Sequence, residues 1–101
     1  MDSFKNVKDE INYSEDGILS KELWRTEAMD VTLFSMAEGT EISDHTSSKE
    51  GIVYVIEGDG EFVLEGETIE MKPGVTIYIT KKAVHSLKAN KDTSFILALK
   101  D

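Results

Sequence analysis

Apolar and polar residues alternate along most of this 101-residue chain. Turns, most of them glycine-bearing, cut that alternation at intervals of roughly eight to twelve residues, and this pattern limits the fold more than any other feature. A side-chain period of two belongs to a β-strand, whose successive residues point to opposite faces. It runs through Leu23-Trp24-Arg25-Thr26, Met29–Met36, Gly51–Ile56, Glu61–Leu64, Thr68–Met71, Val75–Ile79, Val84–Lys88 and Ser94–Leu99. These segments are rich in the β-branched and aromatic residues that suit a pleated surface. Nowhere do apolar residues keep a helical spacing for three turns, so no amphipathic helix is expected. The single proline stands in Lys72-Pro73-Gly74. There proline pre-sets φ and glycine supplies the positive φ of a type II turn. Seven or eight short strands spaced in this way predict an all-β sandwich or barrel.

No repeat, low-complexity block or linker divides the chain, and its length suits one domain. Residues 1–20 are polar and weakly patterned, reading as an N-terminal arm or edge segment. Residues 21–101 form the barrel domain. The absence of cysteine excludes disulfides and thiolate metal sites and fits a reducing compartment. The first ten residues have no apolar run, and no stretch approaches the roughly 20 apolar residues that span a bilayer. A cytoplasmic location is expected. Eleven Lys and Arg against 20 Asp and Glu leave a formal charge of −9. That surface repels phosphate backbones and anionic headgroups, so neither nucleic acid nor membrane is an expected partner.

The spacing of glycines and histidines carries more specific information. Gly39 is followed after five residues by His45, then by Ser47, Gly51 and Gly58; Gly74 leads through Thr80 and Lys82 to His85. This arrangement resembles the two motifs of the cupin superfamily, Gly-x5-His-x-His-x3-4-Glu-x6-Gly and Gly-x5-Pro-x-Gly-x2-His-x3-Asn. The resemblance covers roughly residues 30–99. It implies a small jelly-roll barrel (a double-stranded β-helix) open at one end. In the family, two His and a Glu from the first motif and a His from the second hold a metal. His45 and His85 match the outermost two of those positions. Ser47 replaces the second His, Gly51 replaces the Glu, and Thr80, Lys82 and Ala89 replace the Pro, Gly and Asn of the second motif.

Strand parity places His45 with Ser47, Gly51 with Val53 and Val55, and His85 with Leu87 on inward faces. The expected ligand-binding set is therefore His45, Ser47, Val53, His85 and Leu87, with His45 and His85 the candidate metal ligands. Glu50 is one residue out of register for the missing carboxylate and should point away unless a bulge re-aims it. A full structural zinc site contributes about 10–16 kcal/mol. Two neutral imidazoles with water supply far less, so a divalent ion (Zn, Ni, Fe or Mn) would bind here only weakly. Trp24, Phe34, Phe62 and Phe95 read as core or interface residues. Ser86 cannot pair with His85, because neighbours on a strand face opposite sides. Lys81-Lys82 reads as a solvated loop pair at the barrel mouth.

Three functions fit these residues. The first is a cupin-fold protein that binds a small molecule inside the barrel, its metal site degenerate. The second is a metal-dependent oxygenase, isomerase or decarboxylase using His45 and His85. The third is a structural module that forms a homodimer through exposed N-terminal strands, with Trp24 on an edge.

Overall fold

Among the described residues, nine antiparallel strands build two sheets that face each other across one apolar core. The computed structural model describes residues 2–101; residue 1, the start of the N-terminal segment read from sequence, lies outside the described residues. The strands are β1 (Ile18–Arg25), β2 (Met29–Met36), β3 (Glu41–His45), β4 (Glu50–Glu57), β5 (Gly60–Leu64), β6 (Glu67–Met71), β7 (Thr76–Ile79), β8 (His85–Ala89) and β9 (Thr93–Lys100). One sheet has the order β1-β2-β9-β4-β7 and the other β3-β8-β5-β6. This is the all-β architecture that the alternation predicts, in the jelly-roll form that the cupin resemblance implies.

Eight of the nine strands follow the sequence pattern, and β2 coincides with it end to end. Strand β1 begins at Ile18, earlier than Leu23 and inside the segment read as an arm. Strand β3 is the one the pattern does not reveal. Its five residues, Glu41-Ile42-Ser43-Asp44-His45, contain a single aliphatic side chain and are mostly exposed. Pairing with β8 holds them in place: Glu41 lies opposite Lys88, Ile42 opposite Leu87 and His45 opposite His85.

Turn chemistry agrees with the residues present. Val75 N–H donates to the Lys72 carbonyl at 3.0 Å, and Gly74 takes φ +93° as a type II turn requires. Glu65 and Gly66 both have positive φ and close the β5–β6 hairpin in the sense that matches strand twist.

Alternation then fills the core. On β4, Gly51, Val53 and Val55 are buried while Ile52 and Tyr54 are exposed. Across the inner face Val53 pairs with Leu97 and with Ile77, and Val55 with Phe95. Phe34 stacks on Phe95 with ring centroids 5.2 Å apart. Phe62, the largest of the fully buried side chains, sits opposite Leu87.

The segment before β1 is tied to the outer side of the larger sheet. The Tyr13 hydroxyl donates to Glu57 at 2.7 Å and also meets the Ser94 hydroxyl. Burial, chiefly, raises its pKa to about 12. Trp24 lies on the edge strand β1, but its indole N–H donates to the Asp2 carbonyl and Lys5 lies over its ring. Elsewhere on that outer surface Ile52, Tyr54 and Tyr78 remain exposed. No helix among the described residues is long and apolar enough to cross a membrane.

Candidate functional site

The two histidines meet at the open end of the barrel, His85 buried and His45 still exposed to solvent, and a backbone irregularity makes this possible. Ile42 and Leu87 form an inward-facing pair, so regular pairing would bring residue 44 opposite His85. The register instead shifts between Ile42 and His45, and His45 becomes the residue opposite His85. One extra residue in β3 turns Asp44 away and aims His45 into the cup, as β-bulges beside functional sites commonly do. The imidazole centroids are 4.0 Å apart in an edge-to-face arrangement.

Both rings are oriented by their own strands. His45 Nδ1 lies 2.9 Å from the Ser43 carbonyl, and His85 Nδ1 lies 2.9 Å from the Ala83 carbonyl. A carbonyl oxygen can only accept, so each Nδ1 carries the proton. A ring so oriented, when neutral, keeps its lone pair on Nε2. Among the described residues neither Nε2 has a protein partner. Phe62 adds a third constraint on His85, stacking at 5.6 Å with its ring 5° from parallel.

His85 is only 7% exposed. Burial pushes its pKa below the ordinary histidine value, and the adjacent His45 acts in the same sense, while the bond to the Ala83 carbonyl opposes them. The folded protein thus holds His85 neutral in a range where the unfolded chain binds a proton. Stability from this group is complete above about pH 6.5 and is lost as the pH falls toward the folded pKa. The melting temperature is expected to drop on acidification from pH 7, and less steeply in His85→Asn. Identical pH profiles for the two proteins would contradict this assignment.

Two adjoining chambers surround the imidazoles. The inner one, about 160 Å³, is lined by His45, His85, Val53 and Leu87 together with Phe34, Phe62 and Phe95. The mouth-side one, about 200 Å³, is lined by His45, Ser47, Lys49, Ile79, His85 and Leu99. All five residues expected from sequence to contact a ligand therefore line this pair of chambers. Ser47 arrives by a different route from the one strand parity suggests, because β3 ends at His45 and Ser47 belongs to the following loop. Sequence reasoning assigned Phe34, Phe62 and Phe95 to the core or an interface, and passed over Ile79, Leu97, Leu99 and Lys49. Inward parity along β7 and β9 was the signal for the aliphatic ones. Nothing local marked Lys49.

The residues present do not fit the metal of the family motif. Gly51 occupies the carboxylate position and lies directly opposite Leu99 on β9. A Cβ at Gly51 would come 2.7 Å from Leu99 Cδ2 and 2.9 Å from the Ala98 carbonyl, so the space a Glu side chain needs is already filled. Glu50 faces away, accepting a 2.7 Å hydrogen bond from the Tyr78 hydroxyl and lying near Lys100. Among the described residues no three His, Cys, Asp or Glu side chains converge as metal ligands. What remains is a pair of imidazole acceptors in an apolar cup.

Comparison with known proteins agrees with this architecture. The family model described as a cupin domain matches residues 32–99. An uncharacterized protein of Methanocaldococcus jannaschii is 33% identical over 82 residues, covering 74% of this chain and 65% of the relative, so the chain spans just under two thirds of that protein. A Streptococcus pyogenes protein of unknown function superposes with a TM-score of 0.88 at 25% identity, covering 98% of this chain and 87% of the other. A cupin superfamily protein from Desulfitobacterium hafniense shares the fold, with a TM-score of 0.86 at 16% identity over 91% of this chain and 84% of its own. Motif spacing, barrel topology and the match over residues 32–99 converge, and the chain belongs to the cupin domain family.

Proposed function

We propose that this protein binds a small molecule in the barrel interior, anchored by His45 and His85, and that it does so without a tightly held metal. One observation carries the reading: two imidazoles with unpartnered Nε2 atoms stand 4.0 Å apart over an aromatic-lined chamber that contains no carboxylate. Small-molecule sites are typically apolar cups with a few fixed polar groups, and this site has that character. The backbone carbonyls of Ser43 and Ala83 hold both rings in one tautomer, so little ordering remains for a ligand to impose. A ligand hydroxyl or N–H could donate to either Nε2.

Thermal-shift screening of a metabolite library tests this reading. A cognate compound should raise the melting temperature of the wild type. His45→Ala and His85→Ala should fold yet lose that protection, by a factor of roughly ten or more in affinity for each hydrogen bond removed. Elemental analysis supplies the opposing outcome. One equivalent of a transition metal retained through mild chelation, and lost in both variants, would replace this reading with the metal-enzyme one.

A further inference from the structure

The mouth of the cup is the basic part of an acidic chain. Two loops form the rim beside the histidines: residues 46–49 between β3 and β4, and residues 80–84 between β7 and β8. Lys82 N–H donates to the Ser47 carbonyl at 2.7 Å and ties the loops together. They carry Lys49, Lys81 and Lys82 and no Asp or Glu, although acidic residues outnumber basic ones 20 to 11 in the whole chain. Two of the neighbouring carboxylates are engaged. Asp101 pairs with Lys49, and Glu65 accepts from the Val84 N–H. Among the described residues neither Lys81 nor Lys82, both exposed, has an acidic partner within salt-bridge distance.

Lys82 is also strained. Its φ is +65°, a left-handed conformation that L side chains avoid, and it stands where the family motif has glycine. The chain therefore keeps a glycine-type backbone while placing a cation on it. Strain of this kind persists where the surroundings or a function over-determine it. A lysine held against backbone preference, in a loop that carries no acidic residue and is bonded to the loop lining the mouth-side chamber, is an arrangement that selects for negative charge.

Resting on the barrel-interior reading above, we infer that the ligand is a small organic anion. Its apolar body fills the chamber lined by Phe34, Phe62 and Phe95, and its carboxylate-type head lies under the lysine rim. The rim cations lower the cost of bringing such a head toward a protein whose overall charge of −9 would otherwise repel it. Lys49, held by Asp101, lines the mouth-side chamber; Lys82 and Lys81, in the adjoining loop and outside the chamber lining, are the cations without an acidic partner among the described residues. The imidazole Nε2 atoms then accept from a hydroxyl, or from water, beside that head.

Calorimetric titration with matched acids and alcohols tests the inference on the intact protein. The probes are phenylacetate against 2-phenylethanol, and hexanoate against hexanol. Each acid should bind more tightly than its alcohol by roughly tenfold or more, the low end of the range expected for one charge-assisted contact. The preference should weaken as ionic strength rises from about 20 to about 300 mM. Lys82→Gln should abolish most of it. Lys82→Gly, which relieves the positive φ, should abolish it equally while holding or raising the melting temperature. Alcohols that bind as tightly as the acids would overturn the anion inference and leave the pocket reading standing. If neither class binds, both fall. A Lys82→Gly protein that keeps the full acid preference would also overturn the role given to Lys82.

Discussion

Gly51→Glu, the substitution that returns the family carboxylate to its motif position, is expected to destabilise this protein by about 2–6 kcal/mol and to recruit no metal. The reasons lie on β9. Gly51 is buried opposite Leu99, and the first side-chain atom added there would overlap both the Leu99 side chain and the Ala98 carbonyl. The leucine tip can move, but the carbonyl belongs to a paired strand and cannot. Forcing the pair apart costs about 1–3 kcal/mol. The carboxylate beyond it would then sit beside Leu97 and Leu99, where the one lysine lining the chamber, Lys49, is already held by Asp101, which adds about as much again. A domain of this size should lose about 10 °C or more of melting temperature. Leu99→Ala in the same chain removes the side-chain overlap while leaving the backbone contact and the charge, so only part of the loss should return. A Gly51→Glu protein that melts with the wild type and carries one zinc or nickel per chain would show that the site has merely lost a ligand, not been rebuilt around leucine.

That rebuilding explains how far the sequence could be read. Alternation exposed every strand whose two faces differ in polarity, because an inward valine or phenylalanine next to an outward charge is a local signal. It could not expose β3, where Ile42 alone is aliphatic and the partner β8 supplies the reason to be extended. The histidine pair was legible from motif spacing, yet the bulge that aims His45 inward was not, since it arises from how β3 meets β8. The loss of the metal carboxylate was equally plain at Gly51. Its consequence was not: Leu99 lies 48 residues away in sequence, and only the β4–β9 register makes it the occupant of that space. Lys81 and Lys82 were legible as a loop pair, while the strained φ of Lys82 was visible only in the backbone.

Phe62→Ala should be the most damaging truncation at the site, because one ring serves both the core and the histidine. Phe62 is 1% exposed, and removing a buried phenylalanine costs about 3–5 kcal/mol through lost burial and the cavity left behind. A domain of this length has a total stability of only about 5–15 kcal/mol, so the urea midpoint should fall by a large fraction of its value at unchanged slope. The same ring stacks on His85 and lines the inner chamber. His85 would keep its bond to the Ala83 carbonyl but lose the surface that fixes its plane, so a bound ligand should protect the variant less than the wild type. Phe62→Leu separates the two roles. It retains most of the apolar volume and should cost less stability than the alanine variant, yet it removes the stack completely and should weaken ligand protection almost as much. If protection instead tracks the residual stability of the two variants and not the presence of the aromatic ring, Phe62 is a core residue alone and takes no part in positioning His85.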